Sequence, residues 1–271
     1  MSISKLSIKK YYLLTKDIVE ICEAIATENN KIFSFPHPFF YEEDCVTSPS
    51  DLGACVETEF DDGDLPVLYA AFHNETLIGF ISTYFLDDSV EICSFIHPDY
   101  LGHGVFRTMF DTFADDYLGY DIFVTCHPKD CNLKSLLEHF GFSLNRSELL
   151  MAIDSKTYKR ADTSHLSDFV IKKTLDNDES HYTISGGNGL IGEGFSYNGD
   201  NCATIHDIFI NEDFRNNRYG LALVNYMISD LLATKSSILL HVTKENAAAF
   251  SLYKKLGFTV NEQSDYYLSM L

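Results

Sequence analysis

The internal repeat is the feature that most limits how this 271-residue chain can fold. Residues 91–142 and residues 205–258 match in the order of their apolar runs, glycines and charged turns. Leu101 corresponds to Arg215 at an offset of 114 residues. Near the end of the repeat, Gly141 corresponds to Gly257 at an offset of 116 residues. A segment that occurs twice predicts two related domains, because a solenoid needs three or more stacked repeats.

Both halves have the same predicted order of strands and helices. An apolar strand is followed by a turn with glycine, an amphipathic helix, a short buried strand and a second helix that ends at Gly-Phe. We place the domain boundary after the strand that ends the first half, which gives domains over 1–154 and 155–271. The predicted strands are Val90–Ile96, Ile122–Cys126 and Glu148–Ile153 in the first half, and Ala203–Ile210, Ile238–Val242 and Tyr266–Leu271 in the second.

The halves differ before the repeat begins. Asp17-x-x-Glu20 has the form of a capping box and predicts an N-terminal helix in the first half, with no counterpart in the second. An acidic cluster predicts a solvated loop at Glu57, Glu59, Asp61, Asp62 and Asp64. Further strands are predicted at Leu68–Phe72 and Leu77–Phe85 in the first half, and at Phe169–Thr174, His181–Ser185 and Leu190–Tyr197 in the second.

Composition disfavours several classes of function. The 20 basic and 40 acidic residues give a formal charge of −20, which repels nucleic-acid backbones and attracts cationic small molecules. No apolar run is long enough to span a bilayer, and Met1–Lys10 is not followed by the apolar region of a signal peptide. The seven cysteines show neither a C-x-x-C pair nor zinc-ligand spacing. We therefore predict free thiols in a reducing cytoplasm, no membrane association and no metal site.

The turn after the first strand of the second repeat has the properties of a phosphate-binding loop. It reads Arg215-Asn216-Asn217-Arg218-Tyr219-Gly220-Leu221 and leads from a strand into a helix. The first N–H groups of a helix have no partner within it and attract anions, and glycine permits close approach of a ligand. Arg215 and Arg218 add positive charge. The alternative is an ordinary surface turn.

The helix after the next strand begins at Asn246 and carries Tyr253 seven residues later. Seven residues make about two helical turns, so both side chains can face one groove. The alternatives are structural, because Asn246 is a common helix N-cap and Tyr253 has the spacing of a core aromatic residue.

Together these motifs resemble those of the GNAT superfamily of acyl-CoA N-acyltransferases. The superfamily pattern (Q/R)-x-x-G-x-(G/A) matches Arg215 to Gly220 except at Arg218. The pattern N-x-x-A-x-x-x-Y-x-x-x-G-F matches Asn246 to Phe258. Because the repeat carries the resemblance into both halves, the chain resembles a tandem member of the superfamily.

The resemblance implies an α/β (α+β) fold of two domains, each a splayed, twisted mixed sheet flanked by helices. Acetyl-CoA, the cosubstrate, would lie between the fourth and fifth strands of the second domain. The strand backbone would bind its pantetheine arm, the loop its pyrophosphate, and Tyr253 would lie beside the thioester sulfur. The binding residues implied are Ile208, Phe209, Ile210, Arg215, Asn216, Asn217, Arg218, Tyr219, Gly220, Leu221, Asn246 and Tyr253.

The chemistry implied is direct attack of an amine on the thioester. The amine must first lose a proton. His206 and Asp207 are the candidate bases, and strand alternation places them on opposite faces, so that at most one faces the cleft. A structural role for both, with water as the proton carrier, is the alternative. Tyr253 would donate a hydrogen bond or a proton to the leaving thiolate.

The first half departs from the motifs. Leu101 replaces the arginine, Phe106 replaces the final glycine or alanine, Leu137 stands in the place of the tyrosine and Asp130 in the place of the asparagine. Leucine cannot protonate a thiolate, so we predict a degenerate first domain and a catalytic second domain. Glu91 stands where some superfamily members carry a base.

These observations predict an N-acetyltransferase that uses acetyl-CoA and acts on a primary amine of a small molecule or peptide. The net charge favours a cationic acceptor. Two alternatives stay open, a non-catalytic acyl-CoA-binding or regulatory module and a purely structural pseudo-enzyme.

Overall fold

The computed structural model describes residues 6–31, 38, 40, 45–46, 65–86, 88–164, 166, 168–187 and 189–270. It divides into two compact units, Met1–Asn145 with Asp265–Leu271, and Arg146–Ser264. The boundary differs from the one expected at residue 154. Residues 146–154 belong to the second unit, and the end of the chain belongs to the first.

The first unit is built on one mixed sheet. Its strands lie in the order β1-β4-β5-β6-β7-β14, and only the β6–β7 pair is parallel. A short parallel pair, β2 (Leu14–Thr15) with β3 (Cys45–Val46), lies apart from it. The sheet strands are β1 (Leu6–Tyr11), β4 (Leu68–His73), β5 (Thr76–Leu86), β6 (Ser89–Ile96), β7 (Asp121–Cys126) and β14 (Thr259–Met270), and the helices are α1 (Lys16–Asn30), α2 (Val105–Asp116) and α3 (Cys131–His139).

The second unit repeats this plan without a leading helix. Its strands lie in the order β9-β10-β11-β12-β13-β8, and only the β12–β13 pair is parallel. The strands are β8 (Ser143–Asp154), β9 (Phe169–Asp176), β10 (Glu179–Gly186), β11 (Gly189–Asn198), β12 (Cys202–Ile210) and β13 (Ser237–Thr243), and the helices are α4 (Tyr219–Leu231) and α5 (Ala247–Leu256).

The two halves of the chain exchange their last strands. Glu148–Asp154 of β8 pairs antiparallel with β13 of the second unit. Asp265–Met270 of β14 pairs antiparallel with β7 of the first unit. The predicted strands at Glu148–Ile153 and Tyr266–Leu271 are therefore present as far as Met270, but the repeat does not reveal which sheet each one joins.

Most predicted elements are present, and the differences lie near the N-terminus. Helix α1 begins at Lys16, and the Thr15 hydroxyl caps it by accepting a hydrogen bond from the Ile18 N–H at 3.4 Å. Asp17 therefore lies in the first turn and is not the cap. Strand β1 was not predicted, and the acidic cluster lies outside the described residues.

Each unit has an apolar core between its sheet and its helices. The predicted apolar faces of α2 and α4 are both buried. Their buried residues include Phe106, Met109, Phe110 and Phe113 of α2 and Val224, Met227, Ile228 and Leu231 of α4. In the described part of the chain, no helix is both long and apolar enough to cross a bilayer. Free thiols occur at Cys22, Cys93, Cys126, Cys131 and Cys202.

A Lys–Asp–Tyr cluster joins the central helix to the sheet in the first unit. Asp116, the last residue of α2, accepts a hydrogen bond from the buried Tyr69 hydroxyl at 2.7 Å and pairs with Lys10 Nζ at 2.7 Å. Burial, and next the hydrogen bond to Asp116, raise the pKa of Tyr69.

The same cluster occurs in the second unit. Asp230 near the end of α4 accepts from the Tyr182 hydroxyl at 2.8 Å and pairs with Lys173 Nζ at 2.7 Å. Asp116 and Asp230 are 114 residues apart, the offset of the sequence repeat. The repeat therefore preserves a polar connection between helix and sheet as well as the apolar core.

Candidate active site

The second unit opens between its two parallel strands. β12 and β13 pair from Cys202 with Ser237 to Ile205 with Leu240, and the pairing stops there. Both strands continue, β12 to Ile210, and this last part of β12 pairs only with β11. The parted strands leave one backbone edge of β12 facing the gap, as the predicted splay requires.

A β-bulge lies where the gap begins. Phe195 of β11 pairs with His206, while Glu193, two residues earlier, pairs with Phe209, three residues later. The extra residue on β12 is accommodated at Asp207, which has a φ of +47°. A bulge adds a residue to one strand and redirects its side chains.

The bulge overturns the expectation that His206 and Asp207 lie on opposite faces. Ile205 and Ile208, on either side of them, both pack against the core of the unit. His206 and Asp207 lie together on the other face, with Nδ1 of the imidazole 3.2 Å from Oδ2 of the carboxylate. Strict alternation fails because the bulge inserts one residue between two core positions.

Helix α4 begins next to the gap without a side-chain cap. Its N-cap residue, Arg218, has a φ of +65° and makes no capping hydrogen bond through its side chain. Asn216 also has a positive φ, of +63°. Residues other than glycine are uncommon in this region and concentrate at functional sites. The Arg218 side chain therefore leaves the first N–H groups of α4 uncapped at the place where the sequence predicts the phosphate loop.

The residues of the predicted loop lie around that helix end. Arg215 is folded back, with Nε donating to the Ile210 carbonyl at 3.0 Å and Nη1 to Glu212 at 3.1 Å. Asn217 Nδ2 donates to the Arg215 carbonyl at 3.2 Å. Tyr219 is partly buried against the core, where Leu221 is fully buried.

Gly220 lies at a narrow point of the site. A Cβ atom built on it would lie 3.5 Å from Cγ1 of Ile210 and 3.6 Å from Cδ1 of Leu252. These are ordinary van der Waals distances, so an alanine fits at this position. The position allows the backbone near the start of α4 to come close to a ligand.

Helix α5 supplies Asn246 and Tyr253. Oδ1 of Asn246 accepts from the Ala249 N–H at 3.1 Å, which is the N-cap role left open by the sequence. The residue is exposed, and its Nδ2 can still donate to a ligand. Tyr253 is 8% exposed and contacts Phe258 edge to face.

The Tyr253 phenol is held in its protonated form. Burial raises its pKa to about 12. Among the described residues its hydroxyl has no hydrogen-bond partner. A phenol with a pKa this far above that of a thiol, about 8.5, favours hydrogen-bond donation over complete proton transfer to a thiolate.

In the first unit, other side chains occupy the positions that correspond to the candidate site of the second unit. Its strands β6 and β7 also part, after Ile92 and Val124. The Thr125 hydroxyl, just beyond the last pair, donates to the carboxylate of Glu91, which is still in the paired part of β6. Leu137, at the position of Tyr253, is completely buried, and Asp130 caps α3 by accepting from the Leu133 N–H at 3.0 Å.

Phe106 fills the corner that Gly220 leaves open in the second unit. Its ring is 4% exposed. It stacks on Phe110 at 5.6 Å between centroids and meets Phe140 of α3 edge to face at 5.5 Å. The turn before α2 nevertheless keeps the same backbone, with φ of +76° at Gly102 and +81° at Gly104.

Residues 27–142 and 147–258 each match the model of the acetyltransferase (GNAT) family. The chain belongs to the GNAT family. Because each half matches separately, it is a tandem member with one GNAT fold in each unit. No cluster of three or more potential metal ligands occurs in the described part of this GNAT protein.

Solved structures share the fold of the GNAT chain at low sequence identity. A GCN5-related N-acetyltransferase from Sphaerobacter thermophilus has a TM-score of 0.68 at 9% identity, over 99% of this chain and 96% of that one. A tandem GNAT protein from the clavulanic acid biosynthesis pathway has a TM-score of 0.57 at 10% identity, over 98% of both chains. No curated protein matches this chain.

Proposed function

We propose that the protein is an N-acetyltransferase that moves an acetyl group from acetyl-CoA to a primary amine, with its active site in the second unit. The observation that supports the proposal is the gap between β12 and β13, together with the uncapped start of α4, which follows β12, and a Tyr253 hydroxyl on α5, which follows β13, with no hydrogen-bond partner among the described residues. The first unit is the degenerate copy, because side chains occupy the same places there.

The groups around the gap suit acetyl-CoA as a substrate. The edge of β12 at Ile208, Phe209 and Ile210 can offer backbone groups to the two amides of the pantetheine arm, as a neighbouring strand would, and Arg215 Nε already occupies the Ile210 carbonyl. The unpaired N–H groups of α4 and the charges of Arg215 and Arg218 suit a pyrophosphate.

The reaction itself needs no covalent enzyme intermediate. Acetyl-CoA supplies the thioester carbonyl, to which the amine nitrogen adds; the C–S bond then breaks and its electron pair leaves on sulfur. A backbone N–H group at the Asp207 bulge would polarise the carbonyl oxygen. The Tyr253 hydroxyl donates a hydrogen bond to the sulfur as its charge grows.

His206 and Asp207 form the proton-accepting end of the site. An ammonium group that enters the gap can donate to the Asp207 carboxylate and to Nδ1 of His206, which lie 3.2 Å apart. The carboxylate then holds the amine while the imidazole takes its proton. The bulge makes this pairing possible because both side chains share one face.

The acceptor we propose is a cationic amine, and the location a reducing cytoplasm. The net charge of −20 and the exposed carboxylate of Asp207 favour a positively charged acceptor. Cys22, Cys93, Cys126, Cys131 and Cys202 are free thiols, which persist in a reducing compartment.

The test is CoA-thiol release from acetyl-CoA with a panel of mono- and polyamines, in the wild type and in Tyr253→Phe. The variant keeps the ring and its packing and should lose about 10²-fold in kcat, the effect of removing one donor that acts in the transition state. The KM for acetyl-CoA should change little. Tyr226→Phe, at an exposed tyrosine of α4, is the matched control.

A wild-type kcat in Tyr253→Phe would contradict the role of this hydroxyl. Binding of acetyl-CoA in a calorimetric titration, without turnover of any amine, would instead favour the non-catalytic binding module.

A further inference from the structure

A cavity of about 370 Å³ lies beside helix α4 in the second unit. Its walls come from α4, from strand β9 and from the segment that joins β8 to β9. The described residues that line it are all different from those assigned to acetyl-CoA above. Its volume lies in the range of small-molecule sites, about 300–1,000 Å³. It is therefore a second place in this unit where a small ligand can fit.

The side-chain amide of Asn225 is the buried polar group in the cavity wall. Asn225 is 7% exposed. Its Oδ1 accepts from the Ala161 N–H at 2.8 Å and lies 2.8 Å from the Tyr158 hydroxyl, and these contacts fix which end of the amide is the oxygen. Its Nδ2 has no acceptor among the described residues. Because a nearly buried N–H group without an acceptor is costly, this Nδ2 calls for a ligand atom that accepts.

The matching face of α2 in the first unit is open. At the repeat offset of 114 residues, Asp111 corresponds to Asn225 and Asp115 to Ser229, and both aspartates are exposed. In the second unit the segment that carries Tyr158 and Ala161 is hydrogen-bonded across this face. The side chain that a solvated face carries as a carboxylate is thus an amide where the cavity has formed.

Arg160 and Asp230 add one positive and one negative charge to the cavity wall. Within the described part of the chain, the Arg160 guanidinium has no ion pair or hydrogen bond. Asp230 contacts Lys173 and Tyr182 through Oδ2 alone, which leaves Oδ1 as an acceptor. A guanidinium binds a carboxylate through two parallel hydrogen bonds, and a carboxylate oxygen accepts from an ammonium group.

The remaining wall is mostly apolar. It is formed by Phe169 and Ile171 of β9 and by Ala222 and Tyr226 of α4. Such a surface suits the uncharged body of an organic molecule, while the few polar groups beside it fix the orientation.

We infer that this cavity binds a small α-amino acid with an apolar side chain. Its carboxylate would accept from Arg160 and from Nδ2 of Asn225, and its ammonium group would donate to Oδ1 of Asp230. Its side chain would pack against Phe169 and Tyr226. A zwitterion also suits a chain of net charge −20, because it has no net charge to be repelled. This binding involves no chemical step and is independent of the proposed acetyl transfer.

Isothermal titration of the full chain with L-phenylalanine, 3-phenylpropionate and 2-phenylethylamine tests both charged ends of the ligand. L-Phenylalanine should bind, and each of the other two should bind at least about tenfold more weakly, since each lacks one charged group. Saturating acetyl-CoA should leave the affinity for L-phenylalanine unchanged.

Three results of these titrations would overturn the assignment. One is the absence of binding by both L-phenylalanine and L-leucine. Another is equal binding of L-phenylalanine and either of its analogues, which would exclude recognition of a zwitterion. The third is loss of L-phenylalanine binding in the presence of acetyl-CoA, which would place the amino acid in the gap.

Arg160→Gln tests the cavity in a protein that should fold normally, because this side chain is exposed. It should weaken L-phenylalanine binding at least about tenfold. Lys159→Gln is the matched control, since this exposed neighbour does not line the cavity and loses the same charge. An unchanged affinity in Arg160→Gln, or an equal loss in Lys159→Gln, would contradict a direct contact with the carboxylate.

Asn225→Asp tests the buried donor. The substitution keeps Oδ1 as an acceptor for Ala161 and replaces the donor Nδ2 by an oxygen. It should remove most of the binding of L-phenylalanine, and thermal unfolding checks that the variant still folds. Wild-type affinity in a folded Asn225→Asp protein would show that Nδ2 does not contact the ligand and would overturn the site.

Discussion

In the first unit β6 pairs with β5 without interruption, whereas in the second unit β12 carries one extra residue against β11. β6 has eight residues and β12 has nine. The difference is located where each strand leaves its parallel neighbour. In the second unit it gathers His206 and Asp207 on one face, and in the first unit no corresponding pair forms.

The two units also share a polar cluster and the backbone conformation of one turn. The Lys–Asp–Tyr cluster recurs with nearly the same distances. The turn before the central helix has the same two positive φ angles, although glycines occupy it in the first unit and Asn216 and Arg218 in the second. The framework of the fold has therefore been retained in both copies, while the groups that line the opening have changed in one.

The strongest test of this comparison replaces Gly220 of the second unit by phenylalanine, the residue that the first unit has at the matching position, Phe106. Gly220→Phe should weaken acetyl-CoA binding by at least about 100-fold, or about 2.8 kcal/mol, because the ring would fill the corner beside Ile210 and Leu252. Gly220→Ala should bind nearly as wild type, since a Cβ atom has room. Isothermal titration with acetyl-CoA measures both. Equal affinity in Gly220→Phe would place the ligand elsewhere, with the first unit the next candidate.

A smaller and symmetrical effect is expected from the shared cluster. Asp116→Ala and Asp230→Ala should each lower the free energy of unfolding by about 2 kcal/mol, because each removes the carboxylate that accepts from a buried tyrosine hydroxyl. Urea denaturation measures the loss. Glu20→Ala, which removes an exposed ion pair with Lys16 at 3.7 Å, should cost little. A large effect in only one unit would show that the clusters are not equivalent.

The smallest effect concerns the backbone of the two turns. Gly104→Ala should destabilise by about 1 kcal/mol, since φ is +81° and no atom lies near the added methyl group. Arg218→Gly should stabilise by about 0.5 kcal/mol, the relief at +65° being partly offset by the greater freedom of glycine in the unfolded chain. Thermal unfolding checks both signs. A destabilised Arg218→Gly would mean that the arginine side chain stabilises the turn.

Much of this fold was predictable from the sequence, because apolar periodicity and the repeat report on local structure. The strands around residues 90–96 and 203–210, the helices and the positions of the loop and Tyr253 follow from such patterns. The bulge does not, since it depends on how two strands align, and the alternation rule therefore misplaced His206 relative to Asp207. The 3.4 Å contact between Glu179 and His206 was missed for the same reason, because 27 residues separate them and the sheet register brings them together.

The Lys–Asp–Tyr clusters left a signal that could have been found. Asp116 and Asp230 have the same spacing as the other matched residues of the repeat. A search for identical polar residues at that offset would have selected them. Their partners on the outer strands could not be selected, because the repeat is too weak there to align Lys10 with Lys173.

The exchange of the last strands has a consequence for synthesis on the ribosome. The first unit ends its continuous segment at Asn145, yet its sheet is completed by residues from Asp265 onward. At about 5–20 residues per second, the intervening stretch takes roughly 6 to 24 s to translate. During that time β7 has an unpaired edge, which is a site for wrong pairing. A nascent chain that stops before its final residues would therefore expose this edge permanently, and chaperones that recognise open strands would be expected to retain it.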